Sequence, residues 1–193
     1  GQKIFVGDFM DSFDRTPSEH RQCLELVLDA IEQLRARAIY GNHELSYIMP
    51  AHRCSGYNLV HQQIMSDLAD RIEALLEPHI LLAPTVLVTH AGLTRQLWDE
   101  HQLTLDNVDE KLRGWWPDAR SPLHGIGRYR GGFQKWGGTF WCDFNAEFQP
   151  VPGLIQVFGH SARGGEQGVR RVGDSYCIDF LDKSRADFLT MDL

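Results

Sequence analysis

Apolar residues recur along this chain in two rhythms. Cys23, Leu24, Val27, Leu28, Ile31 and Leu34 repeat at the three- and four-residue steps of a helix with one buried stripe. A start signal stands just before them: Thr16 suits the cap, Pro17 the first helical position, and Glu19 the return bond of a capping box. Ile64, Leu68, Ile72, Leu75 and Leu76 repeat in the same way and predict a second helix over about 58–77. The second rhythm is that of short β-like runs, at Lys3-Ile4-Phe5-Val6, Ala38-Ile39-Tyr40, about 79–82, 85–89 and 154–158. Two more runs, 175–180 and 186–191, read as a closing antiparallel pair. Strands alternating with helices favour an α/β architecture. There is no internal repeat and no low-complexity tract.

Composition narrows the class without naming a function. With 193 residues the chain fits one domain, 1–193, with a core of useful size. At 42% hydrophobic and 23% charged it has the balance of an ordinary soluble globular protein. Its longest apolar stretch, Ile80 to Val88, is interrupted by Pro84 and Thr85. That falls far short of the roughly 20 residues a bilayer requires, so no membrane association is expected. A formal net charge of −7 argues against binding to nucleic acid backbones, which needs a basic face. Cys23, Cys54, Cys142 and Cys177 are widely spaced with no C-x-x-C pair. Cys23 falls on the apolar face of the first helix, and Cys142 and Cys177 fall in strand-like runs, where a thiol behaves as a small hydrophobe. A reducing, cytoplasmic setting is expected, and no signal peptide is visible.

The chemistry concentrates where the β-like runs end. Val6-Gly7-Asp8, Gly41-Asn42-His43-Glu44, Thr89-His90-Ala91-Gly92-Leu93 and Phe158-Gly159-His160-Ser161 each follow such a run. Each therefore presents hard or borderline metal ligands from a loop on the rim of a sheet. One carboxylate (Asp8), one amide (Asn42) and two imidazoles (His90, His160) form a mixture that suits Mn²⁺, Fe or Zn²⁺. A carboxylate can bridge two metals because it has two oxygens.

In this order and with these strand contexts the motifs resemble those of the calcineurin-like metallophosphoesterases. Within them, the branch of phosphoprotein phosphatases and diadenosine-tetraphosphatase-like enzymes is the nearest in pattern. The resemblance covers nearly the whole chain, and four ordered motifs are a far more specific signal than one. It implies an α/β fold of metallophosphoesterase type, a β-sandwich flanked by helices with the metal site at strand ends. It implies two divalent ions, a metal-bridging water as nucleophile, and Asp8, Asn42, His90 and His160 among the ligands. It assigns His43 to the leaving-group oxygen, with Asp11, the second Asp of Gly7-Asp8-Phe9-Met10-Asp11, holding the other ring nitrogen.

Two departures from the family pattern stand out. The family's Asp-x-His motif lies upstream of Gly-Asp and is absent here, since the chain begins seven residues before Asp8. The expectation is that the motif belongs to a longer protein. Where the family carries a phosphate-gripping Arg after Gly-Asp-x-x-Asp, this chain has Ser12. Arg15, three positions on, is one replacement, unless Asp14-Arg15 is a plain surface pair. Arg53 is another, because Arg53-Cys54-Ser55-Gly56-Tyr57 resembles a family stretch downstream of the Asn-His motif. Bidentate phosphate recognition calls for a guanidinium somewhere.

The segment 114–138 differs from the rest. Trp115, Trp116, Tyr129, Phe133 and Trp136 interleave with Arg120, Arg128, Arg130 and Lys135 among several glycines. It reads either as a substrate-gripping rim loop, with Arg128 or Arg130 on phosphate, or as a capping loop packed on the sheet. Phe140-Trp141-Cys142-Asp143 resembles a family strand that precedes the last Gly-His. His20, His52, His61, His79, His101 and His124 read mostly as exposed or satisfied structural residues, with His52 and His124 the two worth testing near the rim. Gly159-His160-Ser161-Ala162-Arg163 only faintly echoes a serine-hydrolase elbow, and Gly164-Gly165 reads as a turn.

The functional expectation is a metal-dependent phosphatase acting on phosphomonoesters. Its substrate would be a phosphorylated small molecule, a nucleotide or a phosphoprotein. A dinucleoside polyphosphate or phosphodiester hydrolase is the alternative within the enzyme class. A catalytically inactive relative that serves as a binding protein is the alternative outside it.

Overall fold

In a computed structural model of the protein, which describes residues 1–162, 168–179 and 189–191, the helix signalled at Thr16 forms as α1, Pro17–Leu34. The Thr16 hydroxyl accepts from the Glu19 N–H while the Glu19 carboxylate takes the Thr16 N–H at 2.7 Å, which closes the capping box. Leu24, Leu28 and Ile31 are buried. Leu34 is not: the helix ends there, the chain turns through left-handed Arg35, and the side chain is left 58% exposed. The chain divides into two compact units, Gly1–Pro78 and His79–Leu193.

The first unit is built on a three-stranded parallel sheet of β1 (Ile4–Phe5), β2 (Arg37–Ile39) and β3 (Leu76–Glu77), in that order. Ile4 lies opposite Arg37, and Ala38 opposite Leu76. β1 and β2 run the same way, so Gly7-Asp8 and Gly41-Asn42 both leave the sheet at its carboxyl edge, where ligands gather in parallel sheets. After Gly41 the chain enters a helix directly, α2 (Asn42–Ile48), so Asn42 and His43 open a helix and do not sit in a loop.

The helix expected over 58–77 is two helices and a strand. Asn58 caps α3 (Leu59–Asp67) by accepting the His61 N–H at 2.9 Å, Leu68 breaks the run, and α4 (Ala69–Leu75) follows. Leu76 and Glu77 are strand. Pro78 disfavours a helical residue before it, and β2 offers the backbone partners that extended residues need. Arg37 fastens the junction with a two-pronged bond to Glu77 at 2.7 and 2.6 Å.

The second unit carries a five-stranded mixed sheet in the order β4-β5-β6-β8-β7. Its strands are β4 (Ile80–Ala83), β5 (Val86–Val88), β6 (Ile155–Phe158), β7 (Arg170–Val172) and β8 (Ser175–Cys177). β5 and β6 are parallel neighbours, with Val88 opposite Val157. They therefore end at the same edge, one followed by His90 and the other by His160. Ala91, Cys142, Phe148, Phe158 and Cys177 pack as a core cluster. The buried Gln156 amide bonds both the N–H and the C=O of Leu93, so the chain leaving β5 is tied to β6.

Two helices that the apolar rhythm did not single out, α5 (Arg95–Glu100) and α6 (Val108–Trp115), follow β5. The antiparallel partner of β8 is β7, joined through Gly173-Asp174 with Gly173 at φ 58°. A two-residue turn with a left-handed Gly is a strong hairpin signal, while the expected pairing of 175–180 with 186–191 falls largely outside the described residues. Residues 180–188 lie outside the described residues, as do Arg163, Gly164 and Gly165. Phe140-Trp141-Cys142-Asp143 is turn and irregular backbone, not strand, because the Trp141 and Cys142 N–H groups both turn back to the Gly138 carbonyl. Among the described residues no helix is long and apolar enough to cross a membrane.

Candidate metal and catalytic site

The two loops at the carboxyl edge of the first sheet touch through glycine. A Cβ on Gly7 would fall inside the backbone of Gly41, and one on Gly41 would overlap Asp8. Gly7 also holds φ 90°, a region open to glycine at no steric cost. The two glycines therefore let the Asp8 carboxylate reach the start of α2, where its Oδ1 accepts the His43 N–H at 3.2 Å.

Asp8 and Asp11 are themselves left-handed, at φ 60° and 65°. Non-glycine residues in this region carry strain of about 1–3 kcal/mol that the surroundings must hold in place. Here the holder is Glu44, which is fully buried. Its Oε2 accepts the N–H groups of Asp8 and Gly41, both at 2.9 Å. Its Oε1 accepts those of Phe9 at 2.8 Å and Met10 at 3.1 Å. Burial and the nearby Asp8 charge push the Glu44 pKa upward, and the four donors, which favour the ionised form, work against that push. In the sequence Glu44 stands only as the last residue of Gly41-Asn42-His43-Glu44. Three of its four donors lie 34 to 36 positions away, so no local pattern marks the role.

Asp11 is the hub of a second network. Its side chain is wholly buried, and Oδ2 faces Nδ1 of His43 at 3.1 Å. Oδ1 accepts the Tyr47 hydroxyl at 2.5 Å and faces Nδ1 of His61 at 2.7 Å. Burial alone would raise the Asp11 pKa, but bonds from His43, Tyr47 and His61 outweigh it and hold the carboxyl below its ordinary value. For His43 burial lowers the pKa, while Asp11, Cys54 and the Asp8 charge override it and push the imidazole up to about 11. His61 is thus satisfied on Asp11, and its ring meets that of His20 edge-on at 4.4 Å. Cys54, to which no motif assigns a role, brings Sγ to 3.5 Å from His43 Nδ1.

In the second unit His90 Nε2 and His160 Nδ1 lie 3.1 Å apart with the rings at 70°. Two imidazole nitrogens on one tetrahedral cation stand about 3.3 Å apart when each bond is about 2.0 Å. The pair is held by the Gly159 N–H on the His90 carbonyl at 2.8 Å. His160 is also left-handed, at φ 67°. Gly92 is required where it stands: φ is 92°, and a Cβ would press on the Phe148 and Phe158 rings.

The four candidate arginines fare differently. Arg15 is exposed in the turn before α1. Arg53 lies over the Tyr57 ring at 4.4 Å, and Tyr57 stacks on Tyr47, the donor to Asp11. Arg128 is exposed on a short 3₁₀ turn. Arg130 is engaged: it pairs with Asp143 at 3.0 Å and donates to the Ser161 hydroxyl at 2.7 Å, bracing the residue after His160.

The segment 114–138 packs in part on its own unit and in part faces solvent. Trp116 packs on His124 and Phe140, and Cβ atoms on Gly132, Gly137 or Gly138 would collide with backbone, so much of it is folded tightly onto its own unit. Phe133 and Tyr129 are 97% and 62% exposed. The buried Glu147 carboxylate accepts the Gly137 and Asp143 N–H groups, a smaller version of the Glu44 device. Among the further histidines, His20, His52, His61, His79 and His124 are buried and His101 is half-buried, so none is exposed as some were expected to be. The His124 Nε2–H donates to the Trp116 carbonyl, 2.9 Å away at the end of α6, which makes it a packing residue.

A scan against protein-family models gives no match to this chain, and a search of curated proteins gives none.

Proposed function

We propose that this protein is a metal-dependent phosphatase of the metallophosphoesterase type, acting on phosphomonoesters. The observation that carries the reading is the Asp11–His43 pair, set one residue from Asn42 and braced to Asp8 by the His43 N–H. By the same resemblance Asp8, Asn42, His90 and His160 are each taken as metal ligands, and the metallophosphoesterase sandwich belongs to the same reading. Their donor chemistry, one carboxylate, one amide and two neutral imidazoles, fits Mn²⁺, Fe or Zn²⁺. When bound, such ions neutralise the ester's charge and supply a nucleophile near neutral pH.

The chain's own residues do the rest. Asp11 orients the His43 ring and stabilises its protonated form, so at neutral pH the imidazolium is the populated state and can give a proton to the departing oxygen. Tyr47 and His61 occupy the far oxygen of Asp11 and keep it from turning away. Arg53, with its guanidinium laid on Tyr57, is the arginine proposed to grip phosphate, because Arg130 is held by Asp143 and Ser161.

The test is Mn²⁺-dependent hydrolysis of p-nitrophenyl phosphate beside bis(p-nitrophenyl) phosphate, with Mn²⁺ binding measured calorimetrically. The expected result is turnover favouring the monoester, with both binding and turnover lost in Asp8→Ala and His160→Ala. His43→Ala should keep Mn²⁺ while turnover falls about 10²-fold or more. A preference for the diester would replace the phosphatase reading by the diesterase one. Mn²⁺ binding with neither ester cleaved would favour a binding protein.

A further inference from the structure

Asp11, His43 and Cys54 bring a carboxylate oxygen, an imidazole nitrogen and a thiol sulfur within 4.8 Å of one another, all inside the first unit. We propose that these three residues form a separate, thiolate-containing site for a soft divalent cation such as Zn²⁺, and that its occupation shuts off His43. The site differs in kind from the Asp8, Asn42, His90 and His160 set, whose oxygen and imidazole donors include no sulfur.

The spacing fits a tetrahedral ion. Bonds of about 2.3 Å to sulfur and about 2.0 Å to nitrogen and oxygen put S and N about 3.5 Å apart, and N and O about 3.3 Å apart. Cys54 Sγ is 3.5 Å from His43 Nδ1, and that nitrogen is 3.1 Å from Asp11 Oδ2. The nitrogen is thus already shared between the two other ligand atoms, as a cation at the centre of the tripod would require. The three donor types are also the ones Zn²⁺ takes, and thiolate in particular selects it over Mg²⁺ or Ca²⁺.

Support for the ligands is built in. Only Oδ2 of Asp11 faces the tripod, while Oδ1 stays bonded to Tyr47 and His61, which fix the carboxylate's angle from behind. Asp11 is wholly buried, whereas His43 keeps 18% of its side chain exposed and Cys54 is half-buried, so the tripod opens to solvent on one side. A fourth position remains for water. On binding, the Cys54 thiol proton and the His43 Nδ1 proton leave to solvent, and the cation takes the place of the proton that His43 shares with Asp11. An imidazole bound through Nδ1 no longer has its Asp11 partner. The inhibitory consequence rests on the catalytic role proposed for His43 above; the cation site itself does not.

Co²⁺ reports the site independently of any activity, because cobalt bound to thiolate gives a charge-transfer band in the near ultraviolet and cobalt bound to oxygen and imidazole alone does not. Titrating the reduced full chain with Co²⁺ should produce that band with one ion per chain, and Zn²⁺ should displace it. The band should vanish in Cys54→Ser and survive in His160→Ala. Asp11→Asn, checked for native circular dichroism, should weaken Co²⁺ binding about tenfold or more. In the phosphatase assay, Zn²⁺ should inhibit the wild type at concentrations that leave Cys54→Ser, scored against its own uninhibited rate, unaffected. A missing band in the wild type, or a band that persists in Cys54→Ser, overturns the proposal. If the band behaves as expected and no ester is cleaved, the cation site stands and the phosphatase reading falls.

Discussion

Replacing Glu44 by Gln tests whether one buried carboxylate holds the reactive loop in its strained form. The side chain keeps its shape, but one oxygen becomes an NH₂ group facing two N–H donors. In the arrangement that loses least, the remaining oxygen keeps two of the four backbone bonds and the amide nitrogen abandons the other two. Hydrogen bonds to a charged acceptor contribute about 1.5–3 kcal/mol each, and a buried donor left without a partner costs about 1–3 kcal/mol. Gly41 and Met10 are buried while Asp8 is exposed, so part of the loss is recovered by water at the outer donors. The net destabilisation should then be about 3 kcal/mol, and that of Glu44→Ala, which strands all four donors and opens a void, about 4–5 kcal/mol.

Urea unfolding followed by circular dichroism gives the global figure. Amide hydrogen exchange at residues 8, 9, 10 and 41 gives the local one and does not depend on the two units unfolding together. Protection at these four amides should fall first and furthest. A Glu44→Gln protein within about 0.5 kcal/mol of wild type, the range of ordinary surface changes, with amides 8–10 still protected, would refute the reasoning.

Gly7→Ala should destabilise the first unit by about 3 kcal/mol, since it adds both a steric overlap with Gly41 and a left-handed φ, and urea unfolding will read it. The buried Asp11 carboxyl titrates below its ordinary value of 3.8, so the stability it contributes is complete above that value and is lost as pH falls through the lower folded value. Acid unfolding of Asp11→Asn should lack that step, and an acid transition of unchanged shape would count against it. His43 has the opposite sign: its raised pKa gives stability that is complete below 6.5 and drains away as pH climbs toward about 11. His43→Asn should therefore flatten the alkaline limb of the stability profile while leaving the acid limb in place. Arg53→Ala should raise KM for the monoester at least as strongly as it lowers kcat, whereas Arg130→Ala should lower thermal stability through loss of its Asp143 pair, a split that steady-state kinetics and melting curves separate.

Signals carried by adjacent residues were legible in the sequence. The capping box at Thr16 and Glu19 closes as read, because all of its partners lie within one helical turn. The short runs before Asp8, Asn42, His90 and His160 are strands or strand ends for the same reason: a local apolar pattern and a glycine suffice to specify them. What failed was decided by neighbours far along the chain. Leu76 and Glu77 fit a helical stripe, yet β2 claims their backbone, and the helix ends early. Tertiary structure alone put His61 on Asp11, 50 positions away, and the Glu44 carboxylate under three N–H groups of the Asp8 loop. A sequence displays which groups can ionise, ligate or hydrogen-bond, since that is covalent chemistry. Which of them share a buried space, and so shift one another's protons and hold one another's strained angles, depends on distance and burial, and only the folded chain sets those.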